Sequence, residues 1–190
     1  MELPQAQTLA EELVFSVRPF CARAEIAGSI RRKKPQVKDI EIVAIVRDWL
    51  GLFLSLEAHG EFIKPGVPEI TPWPPKVGAK YLRMMLSSGI KLDVFIGTED
   101  NWGALFCMRT GSGVGPDGNP MSGFVPAMFG RWKKVSDGGK MSNCLPTRPD
   151  GTQVPVPEEE DFFRLLGVDW IPPENRTSSK DVHRVRGFTL

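Results

Sequence analysis

Three acidic residues in two short apolar runs could carry phosphoryl-transfer chemistry. Asp39 and Glu41 lie at the start of the apolar run 40–46, and Asp93 lies within the run 90–96. Side chains two positions apart on a strand share a face, so Asp39 and Glu41 point the same way if the first run is a strand. If the second run is a neighbouring strand, Asp93 can join them. Carboxylate oxygens suit magnesium, and three carboxylates are enough for a two-metal site that also binds phosphates.

A glycine-serine pair and a run of cations precede these acids. The backbone N–H groups of a Gly28-Ser29 turn could bind a phosphate, and the cations at 31–34 could neutralise its charge. Each feature alone is more typical of a solvated strand end or a solvated face. Their combination in one segment favours a phosphate-binding site.

Composition excludes several classes of protein. The 190 residues are 41% hydrophobic with a formal net charge of +1, which argues against global disorder and against a uniformly basic surface. Basic residues are instead concentrated at 31–38, at 131–134 and in the tail at Lys180, Arg184 and Arg186. The cysteines at positions 21, 107 and 144 form neither a disulfide nor a zinc pattern. No apolar run approaches the roughly 20 residues that span a bilayer, so we expect no membrane partner.

Apolar periodicity and turn residues predict the elements that position these side chains. Helices are predicted at 4–18, 47–57, 100–109, 124–134 and 158–166, and strands at 22–27, 39–46, 79–87 and 90–96. The last two strands form a hairpin that turns near 88–89, a proline-rich loop occupies 64–78, and 135–157 is irregular with room for a hairpin. The predicted fold class is α+β. Residues 1–109 form a mixed sheet with helices on one face, and residues 110–190 form a smaller α+β unit.

Five motifs together resemble the family X DNA polymerases, the relatives of DNA polymerase beta within the nucleotidyltransferase superfamily. They are Gly-Ser-x-Arg-Arg at 28–32, Asp-x-Glu at 39–41, Lys-Leu-Asp-Val-Phe-Ile at 91–96, Thr-Gly-Ser at 110–112, and the segment 160–176 with its Ile-Pro-Pro. The first motif fits many nucleotidyltransferases, and the last two narrow the resemblance to polymerases. The resemblance implies that residues 1–109 are a nucleotidyltransferase palm and that residues 110–190 contact nucleotide and DNA.

The resemblance also implies roles for individual residues. The catalytic and metal-binding residues would be Asp39, Glu41 and Asp93, which would hold two Mg²⁺ ions, with Mn²⁺ as a possible substitute; Asp93 would be the candidate general base. The residues expected to bind the nucleotide are Gly28, Ser29, Arg32, Arg109, Thr110, Gly111 and Ser112.

This chain departs from the family pattern at several positions. Glu41 replaces the usual aspartate, and Met108-Arg109 replaces an aromatic pair that packs against the incoming sugar, which leaves the choice of sugar open. The family carries a non-proline cis peptide at the position of Gly111-Ser112. The family's amino-terminal lyase domain has no counterpart before Pro4, so lyase activity is not expected.

The resulting hypothesis is a DNA-directed DNA polymerase. It would add nucleoside monophosphates from nucleoside triphosphates to a primer 3′-hydroxyl, in short gap filling during DNA repair. We expect a monomer that acts on DNA primer-template in the cytoplasm or another reducing intracellular compartment. One alternative is a template-independent nucleotidyltransferase acting on RNA or a small molecule. A second alternative is a non-catalytic, DNA-binding remnant of the same fold.

Overall fold

The chain divides into two compact units, Met1–Gly97 and Thr98–Leu190, each with its own hydrophobic core. The computed structural model describes residues 1–64, 66 and 75–182. The boundary predicted near Thr110 differs from this division. Helix α4, Trp102–Thr110, belongs to the second unit because its Ala104 and Cys107 side chains are buried in that unit's core.

The first unit is built on a mixed five-stranded sheet in its described residues. Its elements are α1 (Leu3–Val17), β1 (Cys21–Ile26), α2 (Gly28–Arg31), β2 (Asp39–Val46), α3 (Trp49–Glu57), β3 (Gly60–Phe62), β4 (Tyr81–Leu86) and β5 (Lys91–Ile96). The strand order is β1-β2-β5-β4-β3. Strands β2 and β5 run parallel, and every other neighbouring pair is antiparallel.

Alternation along β2 separates the face that packs on the helices from the face that carries the acidic side chains, on which Val43 is also buried. Ile40, Ile42 and Ala44 on β2 are fully buried in a core that also contains the apolar sides of α1 and α3. The residues between them point the other way, because successive side chains of a strand alternate. The apolar face therefore holds the sheet against its helices, and the acidic side chains are placed on the opposite face.

In its described residues, the second unit packs three α-helices around aromatic side chains. After α4 come α5 (Phe124–Val135), the hairpin strands β6 (Lys140–Ser142) and β7 (Leu145–Thr147), and α6 (Glu159–Leu165). Helix α6 begins with a capping box in which the side chains of Glu158 and Asp161 accept hydrogen bonds from each other's backbone. Phe124, Trp132 and Phe162 are almost completely buried.

The structure confirms the predicted α+β class and the predicted mixed sheet with helices on one face. It adds two short elements that periodicity did not indicate, α2 and β3. Most of the predicted proline-rich loop lies outside the described residues, as do Arg184 and Arg186 of the tail. The cysteines are free thiols. No helix in the described ranges is long and apolar enough to cross a membrane.

Candidate active site

The three acids predicted to act together share one face of two neighbouring strands. Strands β2 and β5 pair in parallel register, with Asp39 opposite Lys91 and Glu41 opposite Asp93. Directly opposed residues point to the same face of a sheet. The structure therefore brings Asp39, Glu41 and Asp93 onto one face of the sheet, opposite the face that packs on the helices. The adjacency of the two strands, which the sequence left conditional, is observed.

Asp93 is held by two side chains from β4. Its Oδ1 atom accepts hydrogen bonds from Arg83 Nε at 2.6 Å and from the Tyr81 hydroxyl at 2.8 Å, and its Oδ2 atom accepts one from Arg83 Nη2 at 2.7 Å. The Tyr81 ring also stacks on Phe95, with ring centroids 5.0 Å apart. Asp93 is only 4% exposed, so Arg83 provides the charge balance that a buried carboxylate requires.

Arg83 and Tyr81 were not among the residues singled out from the sequence. Both lie on the first strand of the predicted hairpin, and β4 pairs with β5 so that Arg83 is opposite Asp93 and Tyr81 is opposite Phe95. A hairpin prediction places these residues near Asp93. The exact register, which the turn length sets, decides whether they share its face.

The charges around Asp39 and Arg32 are coupled. Burial and the negative charge of Asp93 raise the pKa of Asp39 above its ordinary value, and nearby cations, led by Arg83, partly offset this. Burial lowers the pKa of the Arg32 guanidinium, and the charges of Glu41 and Asp39 partly offset that effect. The hydrogen bond to Asp93 raises the pKa of Arg83. Arg32 thus lies in the field of the same acids that were predicted to form the site.

The predicted glycine-serine turn is the start of the short helix α2, and its Gly28 lies directly against Glu41. Gly28 has a φ of +63°, and a Cβ atom built on it would come 1.9 Å from Glu41 Oε2. The backbone N–H of Ala27 donates to the Glu41 carbonyl oxygen at 2.8 Å, which fixes the turn to β2. Ser29 Oγ is buried and makes no hydrogen bond within the part of the chain that the structure describes. A buried hydroxyl without a partner is costly unless a ligand satisfies it, so Ser29 fits a phosphate-binding role.

The donor chemistry of the three acids fits divalent magnesium or manganese. Asp39 and Glu41 offer hard oxygen ligands on the same face. Burial and, after it, the negative charge of Asp93 raise the pKa of Asp39, and a bound cation would offset both effects. No group of three or more His, Cys, Asp or Glu side chains within residues 1–64, 66 and 75–182 is already gathered as a metal site. Both oxygens of the third carboxylate, Asp93, accept hydrogen bonds from Arg83 instead.

The other predicted nucleotide-binding residues lie in the second unit, where α4 ends. Thr110 is fully buried, Arg109 is half-buried, and Gly111 packs so closely on Phe124 that a Cβ atom would lie 2.5 Å from that ring. Ser112 N donates to the Arg176 carbonyl oxygen at 2.9 Å. The Gly111–Ser112 peptide bond is trans, so the cis peptide expected from the family resemblance is wrong for this structure.

A buried ion pair lies behind this turn. Arg176 is fully buried and donates to both carboxylate oxygens of Glu159, at 2.6 and 2.9 Å. It also donates to the Ile171 carbonyl oxygen, and its guanidinium lies 4.9 Å from the Phe163 ring centre. Arg176 therefore joins α6 to the segment around Ile171 and, through its own backbone, to Ser112.

The basic patch predicted at 131–134 lies on the last turns of α5. Lys133 and Lys134 are exposed, whereas Arg131 is half-buried and its Nε donates to the Leu166 carbonyl oxygen at 2.8 Å. Arg131 and Lys134 also line a groove of about 390 Å³ together with Ser179. Arg131 thus has a structural contact, and the two lysines form the exposed part of the patch.

Comparison with known families relates the second unit to a polymerase module. Residues 128–177 match the family model described as DNA polymerase beta thumb. The matched segment includes the last two turns of α5, the β6–β7 hairpin, α6 and the Ile-Pro-Pro signature. A search of curated proteins found no match. The match supports a relationship to the family X polymerases through the carboxyl-terminal part of the chain.

Proposed function

We propose that this protein is a DNA-directed DNA polymerase of the family X type. One observation carries the proposal. In the unit that precedes the matched thumb segment, Gly28 at the start of α2 packs on Glu41, and Glu41 pairs in register with Asp93. A phosphate-binding turn against paired carboxylates is the arrangement that nucleotidyl transfer needs.

In this proposal the acids of the first unit perform the chemistry. Asp39, Glu41 and Asp93 would hold two magnesium ions, which stabilise the charge that develops on the transferred phosphoryl group. Asp93 would accept the proton of the primer 3′-hydroxyl, since a carboxylate within hydrogen-bond reach of that hydroxyl can act as a general base. Ser29 Oγ donates its unused hydrogen bond to the β- or γ-phosphate, and Arg32 neutralises phosphate charge. Pyrophosphate leaves, and the primer grows by one nucleotide.

We assign binding of the nucleotide sugar and base to the end of α4. Arg109, Thr110, Gly111 and Ser112 lie there, and the hydrogen bond from Ser112 N to Arg176 holds the turn. Met108 is half-buried and offers a flexible thioether in place of the aromatic side chain expected from the family resemblance. The proposed site therefore lacks a rigid wall against a ribose 2′-hydroxyl, and we propose weak discrimination between ribonucleotides and deoxyribonucleotides.

The proposed partner is DNA primer-template, with short gap filling as the task. Lys133 and Lys134 on α5 and the cations at 31–38 supply local positive charge, while the net charge of +1 gives no uniform field. Each neutralised phosphate contributes about −0.9 to the slope of log affinity against log salt concentration. We therefore propose modest, strongly salt-dependent DNA binding by a monomer.

Primer extension with and without a template strand tests this function. We expect extension that follows the template sequence and requires Mg²⁺ or Mn²⁺. Asp93→Ala should abolish it, whereas Glu61→Ala should not, because Glu61 is an exposed acid on the edge strand β3. Extension that ignores the template would favour the template-independent nucleotidyltransferase. Retention of a tenth of the wild-type rate by Asp93→Ala would refute the three-carboxylate site.

One observation favours the non-catalytic, DNA-binding alternative. Both oxygens of Asp93 are hydrogen-bonded to Arg83, as in a structural ion pair. In that case primer-template DNA should bind with the salt dependence described above, yet no nucleotide would be added with either metal. Titration calorimetry with Mg²⁺ and a non-hydrolysable nucleotide separates the alternatives, because a remnant would show no metal-dependent nucleotide binding.

A further inference from the structure

Arg83 is placed to compete with a cation for Asp93. Two of its guanidinium nitrogens donate to the two oxygens of that carboxylate, at 2.6 and 2.7 Å, in the bidentate geometry that arginine forms most strongly. The Tyr81 hydroxyl adds a third donor at 2.8 Å. Asp93 therefore has most of its acceptor capacity directed towards β4 and away from β2.

The register of the sheet explains why this pair matters for the neighbouring acids. Asp93 lies between Glu41 on β2 and Arg83 on β4, directly opposite each of them. If the Asp93 carboxylate turns towards β2, it loses its hydrogen bonds with Arg83. If it turns towards β4, it can no longer bind a cation next to Glu41. The carboxylate can satisfy one side fully at a time, because the same oxygen lone pairs serve both.

Burial of Asp93 strengthens its interaction both with Arg83 and with a bound cation. Asp93 is buried, and a buried carboxylate must have a positive partner. Without a cation, Arg83 is that partner. The Arg83 side chain is 27% exposed, so it can withdraw towards water when a cation takes its place.

We propose that Arg83 is a positioning residue that holds Asp93 until a divalent cation binds, and that arginine and cation compete for the same two oxygens. The proposal rests on the proposed function, since it concerns the same three-carboxylate site. It assigns to Arg83 a role that differs from a permanent structural salt bridge: Arg83 keeps the third ligand charged and ready on its strand, and it lowers the affinity for metal in the empty site.

Mn²⁺ binding to the nucleotide-free protein, followed by the electron paramagnetic resonance signal of free Mn²⁺, tests this directly. We expect Arg83→Met to bind Mn²⁺ about tenfold more tightly than wild type, because a charge-assisted pair worth about 1.4 kcal/mol no longer has to be broken. Adding Asp93→Asn to that variant should remove the gain. Arg47→Met is the matched control, because Arg47 is an exposed arginine of the same unit at the far end of β2 from Asp39, and its Mn²⁺ affinity should stay at the wild-type value.

A conservative variant protects the test against misfolding. Arg83→Lys keeps the positive charge but lacks the planar fork, so it should give a gain of a few-fold. Thermal melting shows which variants fold, and if Arg83→Met does not, Arg83→Lys decides the outcome. Wild-type affinity, or weaker, in the folded variants would overturn the proposal, as would a gain that survives Asp93→Asn. Failure of the proposed function is separate, since it would appear as wild-type protein that extends no primer with either metal.

Discussion

Replacing Gly28 with alanine should impair activity far more than stability. Gly28 has a φ of +63°, and an added Cβ would lie 1.9 Å from Oε2, 2.8 Å from Cδ and 3.0 Å from Cβ of Glu41. Since Cβ contacts below 3.0 Å essentially do not occur, the Glu41 carboxylate must retreat by about 1 Å, a misplacement that can cost about a hundredfold in rate. The positive φ costs alanine about 1–2 kcal/mol of folding free energy, and the end of a glutamate side chain can rotate at little extra cost.

Gly89→Ala is the matched control for the folding free energy that alanine loses at a positive φ. Gly89 lies in the turn between β4 and β5 with a φ of +79°, and no atom outside its chain neighbours lies within 4 Å of its built Cβ. Urea unfolding should show that both variants lose a similar free energy of unfolding, about 1–2 kcal/mol. Single-turnover primer extension at saturating DNA and nucleotide should show a loss of about a hundredfold for Gly28→Ala alone. Equal rates in the two variants would refute the idea that the contact between Gly28 and Glu41 positions the second carboxylate.

Three further predictions concern single side chains. Ser29→Ala should raise the unfolding free energy of the nucleotide-free protein slightly, by up to about 1 kcal/mol, because it removes a buried hydroxyl that has no partner in the described residues. The same change should weaken nucleotide binding in a fluorescence titration by about 1 kcal/mol, and unchanged affinity would remove Ser29 from the phosphate site. Burial raises the pKa of Cys21 from its ordinary value of 9.0 to about 11, so the unfolded chain loses this proton at a lower pH than the folded protein does. The unfolding free energy should therefore fall as the pH rises from 9.0 to 11, and it should fall less steeply in Cys21→Ala. Equal pH dependence of the unfolding free energy in the two proteins, measured by urea titration, would contradict this. Glu159→Gln should lower the unfolding free energy by about 3–5 kcal/mol, because it leaves Arg176 buried without its carboxylate partner. Arg164→Ala breaks an exposed ion pair and should lower it by less than about 1 kcal/mol. Similar urea midpoints for the two variants would show that burial of the ion pair does not set its contribution to stability.

Much of the fold follows from local patterns in the sequence. The apolar runs 40–46 and 90–96 predict the two central strands, and the alternation of side chains along a strand places Asp39 and Glu41 on one shared face. The helices α1 and α3 are likewise predicted by apolar spacing. Such patterns are local, so they survive without knowledge of any partner element.

The boundary between the two units does not follow from such local patterns. Helix α4 was predicted as a helix and assigned to the first domain by its position before Thr110. Its Ala104 and Cys107 are instead buried with residues of the second unit, including Phe162. Periodicity shows that a helix has apolar residues to bury, but only the fold shows which distant residues receive them.

Only the tertiary structure determines that Arg83 is the partner of Asp93, because this contact depends on the exact register of the β4–β5 pairing. The sequence by itself determined that three carboxylates and a Gly-Ser turn occur at strand spacing. It did not determine that Arg83 lies opposite Asp93, because a shift of one residue in the β4–β5 pairing would move the Arg83 side chain to the other face of the sheet. The close approach of Gly28 to Glu41 likewise depends on a positive φ and on the path of the chain between α2 and β2. Alternation is a property of each strand alone, whereas register and close packing arise only when strands and turns meet, and these contacts place the charges of the candidate site.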